Sequence, residues 1–189
     1  MRGYRLASHD SMSHARPEKW WMRPFHFIAR CQSRGIAEQY AAGARMFDLR
    51  VKWTSRGWRF AHGYMTFRGD VNETLRQLDG MPEPVYVRII LEYNRKPKDI
   101  EEITSRFMRD FGEKRTEYPN ITFFEYRRKY DWEQVFSDEG MPAPEIYQAV
   151  SSMTWRVWDD WFPALYARAH NRDILRQGTD KEWLMIDFI

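Results

Sequence analysis

The sequence predicts an α/β domain folded as a shortened, irregular (β/α) barrel of the TIM type. Three observations point there. Segments of strand and helix periodicity alternate along most of the chain, the order that builds a parallel sheet or barrel. Ionisable residues collect near the carboxyl ends of the strand segments, the ends where barrels build their sites. The chain has 189 residues, against about 250 for eight regular βα units, so the barrel must be abbreviated.

The elements follow in order. Tyr4 to Ser8 reads as a first strand that delivers His9 and Asp10 at its carboxyl end. Cys31 to Gly43 has helical spacing, with Ser33 as a candidate cap and Gly43 as the stop. Arg45 to Trp53 alternates, placing Met46, Asp48, Arg50 and Lys52 on one side and Phe47, Leu49, Val51 and Trp53 on the other, which predicts a strand with a polar inward face. Ser55-Arg56-Gly57 is a turn, and Trp58 to His62 returns as a third strand. Asp70 to Asp79 is a helix opened by the capping pattern Asp70-x-x-Glu73 and closed by Gly80. Val85 to Tyr93 is a buried strand, Lys98 to Phe111 a helix with apolar residues at 100, 103, 107, 108 and 111, and Ile121 to Tyr126 a further strand. Tyr147 to Val150, a helix from Trp158 to Arg176 interrupted near Pro163, and a last strand from Trp183 to Ile189 complete the chain.

Composition narrows the function classes. With 43% apolar and 30% charged residues, the chain suits one domain over residues 1–189. Aromatic residues make up 16%, including nine Trp and ten Tyr, which argues against a disordered chain. The net charge of +3 arises from 30 basic and 27 acidic side chains that are interspersed, so an anionic small molecule or lipid headgroup fits as a partner. No Lys/Arg block and no zinc-finger or RNA-recognition signature is present, so nucleic acid is not expected. Cys31 is the single cysteine, so no intrachain disulfide can form; no Cys/His spacing resembles a structural zinc site, and a reducing, cytoplasmic setting fits. Met1 to Asp10 has no apolar h-region, and no stretch approaches about eighteen apolar residues. Neither a signal peptide nor a membrane span is expected.

His9-Asp10, Asp48-x-Arg50, His62-Gly63, Glu92 and Asp187 all fall near strand ends. Two imidazoles beside one anion-binding guanidinium suit phosphoryl transfer: one accepts a proton from the attacking hydroxyl and the other gives one to the leaving oxygen. The carboxylates would orient each ring.

These residues resemble a family. Ser8-His9-Asp10-Ser11, the run Glu38-Gln39-Tyr40-Ala41-Ala42-Gly43-Ala44-Arg45, Phe47-Asp48-Leu49-Arg50 and Ala61-His62-Gly63 look like the catalytic X region of phosphatidylinositol-specific phospholipases C in their bacterial form. Trp183 to Ile189 is similar to the last barrel strand of those enzymes. The resemblance implies that His9 is the general base, oriented by Asp187, and His62 the general acid, supported by Asp10. Arg50 would neutralise phosphate charge, with Asp48 steering it, and the diester would be cleaved through a cyclic phosphate. Calcium-dependent relatives carry an acidic ligand where this chain has Arg50, so neither a metal nor another cofactor is expected. Glu92 is expected to accept a substrate hydroxyl, with Arg88 facing the pocket from deeper in the barrel; apolar residues stand just before Glu92 where bacterial relatives place a Lys. A bacterial or phage source fits the bacterial form of the motifs.

Alternative readings are a glycerophosphodiester phosphodiesterase, whose metal-binding Glu-Asp pair the Asp48-x-Arg50 pattern lacks, and a non-catalytic relative that binds a phosphorylated ligand or protein. Trp20, Trp21 and Phe25, interleaved with Lys19 and Arg23, suit transient contact with a membrane surface, although such aromatics beside a site strand more often cap a core. Trp155, Trp158 and Trp161, at i, i+3, i+6, are expected to pack.

Overall fold

The computed structural model describes residues 3–132, 134–136, 144–154 and 156–189. The chain opens with β1 (Arg5–Ser8) and passes through a 3-10 segment (Trp20–Phe25) into the short helices α1 (His26–Ala29) and α2 (Ile36–Ala41). β2 (Ala44–Thr54), β3 (Gly57–His62) and β4 (Met65–Phe67) form a meander. α3 (Val71–Asp79), β5 (Val85–Leu91), α4 (Ile100–Gly112), α5 (Lys114–Glu117) and β6 (Ile121–Arg128) follow. The remainder is β7 (Gln134–Phe136), β8 (Ile146–Ala149), α6 (Val157–Trp161), α7 (Pro163–Gln177) and β9 (Trp183–Ile186).

The sheet runs in the order β7-β6-β5-β2-β1-β9-β8, and every neighbouring pair from β6 to β8 is parallel. It curls into an incomplete barrel: among the described residues β7 and β8 do not pair. This is the shortened, irregular barrel expected from the length. β3 is a strand as expected, but it pairs antiparallel with β2 and leaves the barrel wall with β4. β1, four residues long, sits between β2 and β9. It therefore carries His9 into the middle of the barrel mouth.

The alternation in β2 is realised as two different surroundings. Phe47, Leu49 and Val51 join the outer core with Leu75 and Leu78 of α3 and Ile103 and Phe107 of α4. Met46, on the opposite face, packs inside the barrel with Ala7, Val150, Trp183 and Met185. Each such fully buried apolar side chain contributes roughly 1.5–3 kcal/mol, so a one-residue slip of β2 would exchange the two faces and is strongly disfavoured.

Helix ends obey local chemistry. Asp70 accepts a hydrogen bond from the Glu73 N–H at 2.9 Å and caps α3. Gly178 ends α7 at φ +68, and a Cβ there would meet Tyr4 Cε1 at 2.8 Å; the Tyr4 hydroxyl donates to the Leu175 carbonyl at 2.8 Å. Only glycine admits this approach.

Three expectations are corrected. The helix expected over Cys31 to Gly43 is α2 and begins at Ile36, because tertiary partners claim the preceding backbone: the N–H groups of Cys31 and Gln32 donate to Ser13 Oγ at 2.9 and 3.1 Å, and the Cys31 carbonyl accepts from Phe188 N–H at 2.7 Å. Its N-terminal cap is not Ser33; the Glu38 carboxylate reaches back to the Gly35 N–H at 2.9 Å. The last strand stops at Ile186, since Phe188 turns to φ +52. Neither three-residue strand, β4 or β7, has a recognisable period.

Candidate active site

His9 follows the end of β1 and is 2% exposed. Its Nδ1 lies 2.6 Å from Asp187 Oδ1, and its Nε2 lies 2.6 Å from Arg50 Nη2. A guanidinium only donates, so Nε2 is the acceptor and the neutral ring carries its proton on Nδ1, toward Asp187. Asp187 Oδ2 accepts the Ser151 N–H at 3.0 Å, which fixes the carboxylate from a second side.

Arg50 projects inward from β2. Its Nε donates to Asp48 Oδ2 at 3.1 Å, and its Nη1 lies 3.6 Å from Glu92 Oε2. Asp48 also accepts from Arg88 Nε at 3.0 Å and from the Asp10 N–H at 3.1 Å. Burial alone would raise the Asp48 pKa, but Arg88 and Arg50 outweigh it and hold the carboxyl well below the usual range. Burial would likewise loosen the Arg50 proton, yet Asp48 and Glu92 bind it more firmly. Asp187 behaves as Asp48 does: burial pushes it up, and His9 brings it below its ordinary value. This half of the site is an ionised network with its charges paired.

His62 ends β3, and its side chain keeps 21% exposure. Its Nδ1 lies 2.9 Å from the Ala29 carbonyl, 3.1 Å from Asp10 Oδ2 and 3.8 Å from Cys31 Sγ. A carbonyl only accepts, so Nδ1 carries the proton of the neutral ring and Nε2 keeps its lone pair. Burial, then Lys129 and Arg50, push the imidazole down to about 3, with Glu92 opposing. Asp10 is pushed well above the usual carboxyl range by burial, only partly offset by Arg50. Its backbone has φ +39, a left-handed conformation that Asp tolerates at some cost. Asp10 Oδ2 accepts no hydrogen bond among the described residues, because the Nδ1 proton is aimed at Ala29.

The Gly63 peptide after His62 is held at both ends. Glu92 Oε1 accepts its N–H at 2.7 Å, and Lys52 Nζ donates to its carbonyl at 2.5 Å. Lys129 Nζ reaches the same Glu92 oxygen at 2.5 Å. Burial raises the Glu92 pKa, but Arg50 and Lys129 outweigh it.

His9, Asp10, Asp48, Arg50, His62, Glu92 and Asp187 therefore meet at one end of the barrel. Arg88 does not reach that level: it is 2% exposed, with Nη1 3.7 Å from Glu125 Oε2 and Nη2 3.7 Å from Met185 Sδ. It braces Asp48 from one layer below. Three neighbours of these residues were not singled out from the sequence, and the third of them, Cys31, has no part in the chemistry. Lys52 lay on the inward face of the β2 alternation and Lys129 just past the end of a strand, both of which are readable signals. Cys31 had none, because its place depends on a loop that crosses both histidines.

A pocket of about 250 Å³ adjoins His62, lined by Met22, Phe25, Ile28, Tyr64, Met65 and Asp160 among others. A larger one of about 430 Å³, with Arg56, Trp58, Asp70 and Lys114, lies outside the barrel beside α3 and α4 and contains neither histidine. The aromatic expectations are reversed. Trp20, Trp21 and Phe25 are 72%, 52% and 57% exposed and cap no core. Trp158 and Trp161 are 74% and 52% exposed rather than packed, and Trp155 lies outside the described residues. No helix among the described residues is long and apolar enough to cross a membrane.

No family profile matches the sequence, and no curated protein matches it either. Solved structures do. The phosphatidylinositol-specific phospholipase C of Listeria monocytogenes superposes with a TM-score of 0.62 at 16% identity, over 97% of this chain and 87% of that one. A mutant of the Staphylococcus aureus enzyme gives a TM-score of 0.64 at 14% identity, over 97% of this chain and 85% of that one. A second S. aureus structure, concerned with modulation of membrane binding, gives 0.61 at 15%, over the same shares. The chain thus has the fold of the bacterial phosphatidylinositol-specific phospholipases C.

Proposed function

We propose that the protein is a phospholipase C-like phosphodiesterase that works without a metal, using His9 as base and His62 as acid. The observation that carries this reading is the 2.6 Å contact between Arg50 Nη2 and His9 Nε2: it holds an unprotonated imidazole nitrogen beside a fixed positive charge.

A bound phosphodiester would present a non-bridging oxygen to Arg50, replace His9 Nε2 as the acceptor of that N–H and so release Nε2. The freed nitrogen takes the proton of a substrate hydroxyl neighbouring the phosphate. That oxygen bonds to phosphorus, the bond to the leaving oxygen breaks, and the leaving oxygen takes a proton from His62 Nε2, giving a cyclic phosphate. His62 must be protonated for this step. The protein by itself disfavours that state, through burial first and then Lys129 and Arg50, and the negative charge of the phosphodiester counters that penalty. Asp187 holds His9 in the required tautomer and stabilises its protonated form, as a buried carboxylate does behind other catalytic imidazoles. Asp10 supports His62. Asp48 and Arg88 position Arg50. Glu92 Oε2, which accepts no hydrogen bond from the described residues, is left to receive a substrate hydroxyl.

Lipid is favoured as part of the substrate by the exposed aromatic residues bordering the His62 pocket. Phe25 lines it, and Phe27 of α1 stacks on Phe162 at 5.7 Å, joining this rim to the exposed Trp158. Amphipathic aromatics of this kind suit a bilayer interface.

The test is hydrolysis of phosphodiesters bearing a neighbouring hydroxyl, phosphatidylinositol and lysolipids in detergent micelles, in EDTA. Turnover that His9→Ala and His62→Ala each abolish is expected. Activity that EDTA removes would return the protein to the glycerophosphodiesterase class. Binding of these diesters without turnover would make it a phospho-ligand binder.

A further inference from the structure

Cys31 takes no part in the chemistry above, yet its sulfur lies between the two histidines. With His62 Nδ1 and Asp10 Oδ2 it forms a group of ligand atoms all within 4.8 Å of one another. Sγ is 3.8 Å from Nδ1, and Nδ1 is 3.1 Å from Oδ2. Tetrahedral zinc, at about 2.3 Å from sulfur and about 2.0 Å from nitrogen or oxygen, sets its sulfur and nitrogen ligands roughly 3.5 Å apart and its nitrogen and oxygen ligands roughly 3.3 Å apart. The observed spacings differ by only a few tenths of an ångström.

A second observation is independent of the thiol. Asp10 is 1% exposed, and its Oδ2, directed into this group, accepts no hydrogen bond among the described residues. A buried carboxylate oxygen without a donor is costly, and a cation satisfies it. The other group containing Cys31, with His9 and Asp187, offers no such oxygen: His9 Nδ1 and Asp187 Oδ1 bond each other at 2.6 Å, and Asp187 Oδ2 takes the Ser151 N–H.

We propose that Cys31 Sγ, His62 Nδ1 and Asp10 Oδ2 form an inhibitory site for a thiophilic divalent cation of the Zn²⁺ class. Water from the His62 pocket would complete the tetrahedron. Mixed sulfur and nitrogen donors suit zinc and disfavour calcium and magnesium, which take oxygen. Binding releases the thiol proton, and any proton held by the Asp10 carboxyl, to solvent and shifts the imidazole proton from Nδ1 to Nε2, with loss of the bond to Ala29. The ring is then pinned as a metal ligand and can no longer carry the second proton it needs as an acid. That inhibition rests on the role proposed for His62; the binding does not.

Because the chain contains one cysteine, the absorption of a thiolate-cobalt bond reports Cys31 alone. Titration of the intact protein with Co²⁺ is expected to give a thiolate-to-cobalt charge-transfer band saturating at one equivalent, displaced by Zn²⁺. Cys31→Ser should remove the band and weaken Zn²⁺ binding at least tenfold, while circular dichroism and basal turnover stay within about twofold of the parent. Asp10→Asn should keep the band and also weaken binding at least tenfold. No band, or equal Zn²⁺ affinity in Cys31→Ser, overturns the site. Zn²⁺ that binds with these signatures but leaves diester hydrolysis intact overturns the inhibition. A protein with no hydrolytic activity that still shows the band keeps the site and rejects the catalytic reading.

Discussion

The two histidines stand in opposite kinds of surroundings. His9 is held at both ring nitrogens, by Asp187 and by Arg50, within a buried set of paired charges. His62 is partly exposed, is hydrogen-bonded by a backbone carbonyl, and faces a carboxylate whose near oxygen is unsatisfied and whose backbone is strained. In the proposed chemistry one half is preorganised before substrate arrives. The other half would be completed by what binds. A base that must be aimed at one hydroxyl gains from rigidity, whereas an acid that receives its proton together with an anionic substrate gains from an adjustable environment.

The largest effect is expected where the halves join. Arg50→Met leaves Asp48 to Arg88 and Glu92 to Lys129, each short of one buried cationic partner, and should cost about 3–5 kcal/mol in urea denaturation, with turnover lower by at least about 10³-fold. Arg50→Lys restores the charge but cannot span His9, Asp48 and Glu92 together. It should recover most of the stability and little of the rate; full activity would show that the fork geometry is dispensable.

The contrast itself is tested next. Asp187→Asn should lower kcat by about 10²–10⁴-fold, since it loosens the tautomer that leaves Nε2 bare. Asp10→Asn should cost about tenfold or less, because its Oδ2 makes no hydrogen bond to lose. Equal losses in the two variants would erase the distinction.

A smaller effect concerns pH. His62 binds its proton less well in the folded chain, at about 3, than in the unfolded chain, at about 6.5. The unfolded state therefore takes up more protons as pH falls between those values, and the His62 contribution to stability is lost over that window. His62→Asn should flatten this part of the urea-midpoint profile. Asp10, shifted upward, has the opposite sign and loses stability as pH rises through its raised value. In turnover, the alkaline limb should lie at higher pH in kcat than in kcat/KM, because the bound phosphodiester raises the His62 pKa.

The smallest structural effect belongs to the exposed rim. Trp20→Ala and Trp158→Ala should change stability by less than about 0.5 kcal/mol, lowering the rate on phospholipid vesicles but not on a soluble diester.

How far the sequence could be read follows the same division. The preorganised half was legible, because Asp48 and Arg50 sit on one face of an alternating strand and His9 and Asp187 at strand ends, where period and position determine direction. The place of Glu92 at a strand end was legible, but its bonds to Gly63 and Lys129 were not, since they join different strands. Ala29, whose carbonyl meets His62, ends α1, and Cys31 lies in the loop that follows, whose course is set by Ser13, Gln32 and Phe188. Local periodicity contains none of those contacts. The exposed tryptophans were misjudged for a related reason: helical spacing reveals a stripe without saying which side faces solvent.

The most direct measurement is phosphorus NMR of the reaction in EDTA, with phosphatidylinositol and lysophospholipids in detergent micelles. The account predicts a cyclic phosphate as the first product, absent with His9→Ala and His62→Ala. A phosphomonoester formed first, or cleavage that persists without either imidazole, would contradict it.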